Sequence, residues 1–231
     1  MNKKTIMKSL ISLLPVLVIN TASAAVFNFN YTNLGVTGGS INDSVSMTSG
    51  GINVNVQAYT ITLDTNGDVV LSTALTGSNG IYVSSSTSGN LGVVSDPSDG
   101  TNMDGGNSST DLDEGLLFTF DQVISLNYIN FDSFTSSAGD DFNLTVDGVN
   151  ILTDFNANDI SPLATGVPGQ FDEYTFNNVA GTQILIWADG DTDSFRIDTI
   201  NASVVPIPAA AWLFGSGLLG LVAVARRKDK S

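Results

Sequence analysis

The stretch Phe142-Asn143-Leu144-Thr145-Val146-Asp147-Gly148-Val149-Asn150-Ile151-Leu152 decides the fold class. Its first five residues put an apolar side chain at every second position, so an extended chain here has one apolar face and one polar face. Asp147-Gly148 then supplies two residues that tolerate the positive φ of a tight hairpin turn. Val149 to Leu152 returns the chain. The stretch reads as an antiparallel hairpin.

The same pattern extends outward from it. Ile52-Asn53-Val54-Asn55-Val56 alternates, continues through Tyr59, Ile61 and Leu63, and meets Asn66-Gly67 before Val69-Val70-Leu71. That Asn-Gly pair predicts a second hairpin, with a type I′ turn. Further strands are expected at 27–31, 41–47, 81–86, 91–95, 115–120, 123–131, 172–179, 182–188 and 194–204. No helix-period apolar pattern of useful length lies between residues 25 and 204, and no self-similar repeat. About a dozen short strands predict one all-β domain over residues 25–204, a jelly roll or other β-sandwich. Ser84 to Thr110, rich in Ser, Gly, Asp and Asn, reads as a long loop whose strand-like piece is Leu91 to Val94.

Composition narrows the chemistry. The 231 residues include no Cys and no His, which excludes disulfide scaffolds, thiolate or imidazole zinc sites and a Ser-His-Asp triad. Charge is segregated. Lys3, Lys4 and Lys8 precede the first apolar run, and Arg226, Arg227, Lys228 and Lys230 follow the last. Between them Arg196 faces 22 acids, a net charge of −21. Such a surface repels nucleic acid and anionic lipid and attracts divalent cations.

Both ends read as export signals. Lys3, Lys4 and Lys8 precede the apolar Leu10 to Ile19, too short to span a bilayer, and Ala22-Ser23-Ala24 places small residues where a signal peptidase cuts. Residues 1–24 are therefore expected to be a secretory signal handled by the Sec machinery and signal peptidase, with Ala25 the first mature residue. Residues 205–231 form the second element. Ala209 to Ala225 carries no charge, and its 17 residues would rise about 26 Å as a helix, close to a hydrocarbon core of ~30 Å. The basic cluster after it is expected to stay cytoplasmic.

This tail, VPIPAAAWLFGSGLLGLVAVARRK over residues 205–228, resembles the PEP-CTERM sorting signal. The likeness is carried by Val205, Pro206, Pro208, Trp212, Gly217, Gly220, Arg226 and Arg227; Ile207 stands where the naming motif has Glu, which leaves the position of cutting open. The resemblance implies recognition by exosortase, an intramembrane cysteine protease. It further implies transient anchoring in the inner membrane of a Gram-negative, exopolysaccharide-producing bacterium, then residence at the cell surface or in the extracellular matrix. A second likeness concerns layout only. Asp113 to Phe120, an Asp-Gly hairpin and a last strand Phe195-Arg196-Ile197-Asp198 are similar to the jelly rolls of carbohydrate-binding modules. That similarity implies a structural calcium near Asp198.

Three acidic clusters are candidates for chemistry. Asp189, Asp191 and Asp193, with Asp198 beyond, can converge across a turn on one hard cation, and Ca²⁺ takes oxygen ligands of this kind. The alternative is a solvated hairpin tip. Glu114, with Asp111 and Asp113, closes the long polar loop and opens an inner strand, where an acid needs a partner or a metal; the alternative is an exposed junction. Asp140-Asp141 reads as a turn. Among the aromatics, Tyr82, Tyr128 and Tyr174 are candidates for stacking on sugars, whereas Trp187, ending Ile184-Leu185-Ile186, reads as core. Arg196 is expected to pair with an acid or meet a ligand carboxylate.

The function expected is a non-enzymatic surface or matrix protein, sorted by exosortase and stabilised by Ca²⁺. One alternative is a carbohydrate-binding module for exopolysaccharide. Another is a glycoside hydrolase, for which Glu114 and Glu173 are the domain's two glutamates.

Overall fold

The computed structural model describes residues 24–86, 90–96, 100–105, 113–134, 140–156, 172–188 and 193–205, with Phe214 and Gly217 beyond them. Over these residues the chain is an all-β antiparallel domain. Its strands are β1 (Ala24–Asn28), β2 (Ser40–Asn42), β3 (Val45–Ser49), β4 (Ile52–Leu63), β5 (Val69–Leu71), β6 (Gly80–Val83) and β7 (Leu91–Val94). They continue with β8 (Met103–Asp104), β9 (Asp113–Asp132), β10 (Asp141–Val146), β11 (Val149–Asn156), β12 (Asp172–Trp187) and β13 (Ser194–Val204). One helical turn, α1 (Tyr31–Leu34), follows β1; Asn30 caps it by accepting from the Asn33 N–H at 2.7 Å, and Gly35 ends it at φ 68°. The expected strand at 27–31 therefore stops early.

Two strands organise the rest. The expected strands at 115–120 and 123–131 are one strand, β9, and those at 172–179 and 182–188 are one strand, β12. In β12 the turn-type residues Asn178, at φ 60°, and Gly181 give register shifts rather than a reversal. Asp121-Gln122 interrupts the apolar alternation without a Gly, Pro or Asn at a turn position, so pairing continues past it. β9 changes partners there instead. Its first half pairs with β4, Val54 opposite Phe120 through Ile61 opposite Asp113, while its second half pairs with β13, Ile124 opposite Val204 through Asp132 opposite Arg196. β12 lies along the other edge of both halves, shifting register between Thr175 and Val179 and again between Gly181 and Gln183.

The sheet doubles over at this change of partners. Phe27 on β1, which pairs with β13, meets Phe120 edge-on at 5.7 Å, and Phe29 meets Phe118 at 5.5 Å. The two halves of β9 thus face one apolar interior. Phe131, Phe134, Phe142 and Phe195 pack together at its centre, with Phe131 4.7 Å from Phe142. Trp187 is buried with Ile61 and Leu185 in a smaller cluster outside the main core, against Gly115.

The turns separate the two hairpin signals. Asp147 and Gly148 take φ 47° and 80°, as a type I′ turn between Val146 and Val149 needs. The other loop is longer. Ladder pairing stops at Leu63 and Val69, and Gly67 has positive φ at 83°. The Asp64 carboxylate accepts from the N–H groups of Asn66 and Asp68 at 2.7 and 3.0 Å. An Asx turn shapes that loop, and the expected type I′ geometry is not adopted.

Candidate functional site

The ends of five strands bring buried acids together. The Asp104 N–H, on β8, donates to Oε2 of Glu114 at 3.2 Å. The Ala188 N–H, just past β12, donates to the Glu114 carbonyl at 3.1 Å. Ser194 on β13 lies opposite Asp104, and the Asp141 N–H that opens β10 donates to Oδ1 of Asp193 at 2.9 Å. Glu114 is fully buried, as its place in phase with Leu116, Phe118 and Phe120 on β9 requires. Asp193 is 2 % and Asp140 1 % exposed. Where a turn was expected at Asp140-Asp141, β10 begins at Asp141 and Asp140 is buried.

Glu114 and Asp193 were candidates from separate clusters, and the fold links them through Asp104, which donates to Glu114 and lies opposite Ser194, the residue after Asp193. Asp189, Asp191 and Asp111 lie outside the described residues. Among the described residues no three His, Cys, Asp or Glu side chains converge closely enough to hold a metal ion.

Asp198 is elsewhere. Ile197 pairs with Phe131 and Thr199 with Asn130, so Asp198 is an extra residue, a β-bulge in the middle of β13. Its side chain is 7 % exposed, and Oδ2 accepts from the Thr199 hydroxyl at 3.0 Å. Burial, then the nearby charge of Asp132, pushes its carboxyl up to about 6 against the opposing pull of the Thr199 hydrogen bond. Asp132 is held in turn by the Nδ2 group of Asn90, a buried residue just before β7.

Arg196 pairs with no acid among the described residues. Although it sits opposite Asp132 on the ladder, its Nε donates to the Thr101 carbonyl at 3.1 Å and Nη2 to the Thr101 hydroxyl at 2.5 Å, and the guanidinium lies 5.3 Å over the Tyr82 ring. It clamps the 100–105 segment to β13. Tyr174 joins Phe142, Phe155 and Phe176 in an aromatic group that packs on the core. Tyr128 is half-buried opposite Asn201. A separate open groove of about 450 Å³ runs over β3, β4 and β9, lined on its polar side by Ser46, Thr48, Asn53, Asn55, Thr119 and Asp121.

Asp132, Asn90 and Asn130 escaped sequence reasoning. One signal pointed to them: the core residues Ile197 and Ile200 are three apart, a slip in the period-two pattern that marks the bulge.

The terminal candidates fall at the limits of the description. Ala24 opens β1 opposite Ser203, and Ala25 is in the core. Val205 closes the described domain, and Gly217 is an exposed helical position. Ala22, Pro206, Pro208, Trp212, Gly220, Arg226 and Arg227 lie outside the described residues. No helix among the described residues is long and apolar enough to cross a membrane. Comparisons with known protein families, with curated proteins and with solved structures find no match.

Proposed function

We propose that this chain is an exported, non-enzymatic surface or extracellular-matrix protein whose β domain, a jelly-roll-like sandwich, is stabilised by Ca²⁺. The observation that carries the proposal is the charge arrangement. Basic clusters flank apolar runs at both ends, and the domain between them holds 22 acids and one cation, which is engaged by Thr101 and Tyr82. The gathering of Glu114, Asp140 and Asp193 at one set of strand ends supports the calcium part, because Ca²⁺ is held by carboxylate and other hard oxygen ligands. In this proposal the signal peptide takes the chain to the Sec machinery. The PEP-CTERM-like tail then anchors it in the inner membrane until exosortase acts.

Intact mass of the protein recovered from cells and culture medium tests the export reading. Loss of residues 1–24 and removal or processing of the tail is expected. A full-length, freely soluble cytoplasmic chain overturns it. A thermal melt with and without EGTA tests the calcium.

A second reading, an exopolysaccharide-binding module, is favoured by the polar groove over β3, β4 and β9, whose amides, hydroxyls and carboxylate suit sugar hydroxyls. Pull-down by matrix polysaccharide that is lost in Asn55→Leu would support it. The hydrolase alternative is disfavoured for the two glutamates: Glu173 pairs with Asn130 near the start of β12, while Glu114 lies by its end, so they do not flank one bond.

A further inference from the structure

We propose that Asp198, Asp132, Asn90 and Asn130 form a second, separate divalent-cation site, with calcium the ion their chemistry suits, built around the bulge in β13. Three facts converge on this place. First, the bulge inserts Asp198 between the paired residues Ile197 and Thr199, next to Asn130 on the neighbouring strand. Bulges re-aim side chains in this way. Second, Ile129 and Phe131 point into the core, so Asn130 and Asp132 share the opposite face of β9, one pleat apart. Asn90 reaches the same place from β7 through its amide contact with Asp132.

Third, the oxygens there are buried and lack donors. Oδ1 of Asp198, Oδ1 of Asn90 and Oδ1 of Asn130 have no hydrogen-bond partner. Buried acceptors without donors are costly, and two amide oxygens and one carboxylate oxygen of this kind, with the Asp132 carboxylate beside them, call for a cation rather than a stray hydrogen bond. The protein does not provide one: the guanidinium of Arg196, the domain's sole basic side chain, is turned toward Thr101 and Tyr82.

The ligand set selects the ion. Two carboxylates and two amide oxygens are hard, neutral-to-anionic donors with no nitrogen or sulfur ligand, which disfavours zinc and copper. Calcium accepts about six to eight oxygens in irregular geometry, with backbone carbonyls and water completing the shell. An amide presents either its oxygen or its NH₂ end to a neighbour, so Asn90 can turn its oxygen toward an ion shared with Asp132.

This site and the strand-end acids are different parts of the domain, so either proposal can fail alone. The test uses the full chain, stripped with EGTA and titrated with CaCl₂ by calorimetry, with far-UV circular dichroism to verify folding. Asp198→Asn is expected to weaken one binding event about tenfold or more, and Glu114→Gln to leave that event unchanged. Asn90→Ala keeps both carboxylates and is expected to weaken the same event, so the test survives if Asp198→Asn fails to fold. Calcium binding by Asp198→Asn and Asn90→Ala at the wild-type stoichiometry and affinity overturns the proposal, as does the absence of any calcium binding by the folded wild-type chain. Loss of binding only in Glu114→Gln overturns this site while leaving the strand-end reading intact.

Discussion

Asp147 performs two tasks in one residue, and substitution can separate them. Its backbone takes φ 47° in the hairpin turn, where Asp and Gly are at ease and Ala is not. Its Oδ1 accepts from the Thr182 N–H and hydroxyl, each at 3.0 Å, and from the Gln183 N–H at 2.8 Å. Those bonds fasten the β10–β11 hairpin to the register shift in β12 beside Gly181. The site is exposed, so each bond counts for less than a buried one, and the three together contribute about 1–2 kcal/mol. Placing Ala in the left-handed region adds about 1 kcal/mol. Asp147→Ala should therefore cost about 2–3 kcal/mol, Asp147→Gly about 1–2 because the backbone strain is absent, and Asp147→Asn ~0.5–1 because one acceptor oxygen and the turn preference remain. At about 2–4 °C per kcal/mol for a domain of this size, the Ala variant melts roughly 4–12 °C lower. Thermal unfolding followed by circular dichroism at pH 7 reads the series. Acidity adds a second check. Burial raises the carboxyl somewhat, but the bonds from Gln183 and Thr182 outweigh it and hold the group below its ordinary 3.8. A depressed carboxyl stabilises above its unfolded value and loses that contribution as pH falls through the folded one, so the gap between wild type and Asp147→Asn should close in strong acid. If Asp147→Gly is as damaging as Asp147→Ala, the backbone half of the argument is wrong. If all three melt like wild type, the hydrogen bonds are idle as well.

Three further perturbations probe the rest of the fold. In EGTA, ionising Asp198 costs stability: its folded carboxyl, at about 6, binds its proton more tightly than the unfolded one at 3.8, so stability is highest below 3.8 and falls as pH rises to about 6. That window corresponds to ~3 kcal/mol unscreened and about half that after solvent screening. Asp198→Asn should raise the melting point at pH 7.5 and not at pH 3.5, and identical pH profiles for the two proteins would refute this. Gly92→Ala should cost about 3 kcal/mol or more or prevent folding, because the added methyl would lie 1.9 Å from the Thr101 carbonyl oxygen, a backbone atom that cannot step aside. Soluble yield and urea unfolding report it. Phe131→Ala leaves Phe134, Phe142 and Phe195 facing a cavity and should cost about 3–5 kcal/mol, whereas a loss under 1 kcal/mol in urea unfolding would mean that the core does not centre there.

Some of the candidate site was legible before folding was considered. Glu114 leads an alternating run, so its burial follows from phase alone, and Asp193 precedes another such run. Their meeting was not legible. It depends on β8, whose Asp104 donates to Glu114 and lies opposite Ser194, so that a strand from the long polar loop joins two acids 79 positions apart. Asp140 was misjudged for the same reason: two adjacent acids look like a turn until another strand covers them. The fate of Arg196 was equally hidden, because abundant acids made an ion pair the obvious expectation while its reach favoured Thr101 and the face of Tyr82.

Local alternation determined the all-β class, the position of most strands and the Asp147-Gly148 turn, because side-chain period and positive φ are properties of a few consecutive residues. Segregated charge and apolar ends are likewise written directly in the chain and carry the proposal of export. Only tertiary structure decided that two pairs of expected strands are each a single long strand and that β9 changes partners midway. It alone placed Asp198 on a bulge beside Asp132 and Asn90. Strand continuity and register depend on which distant segments bury one another's apolar faces, and that competition is settled by the whole interior rather than by any one stretch.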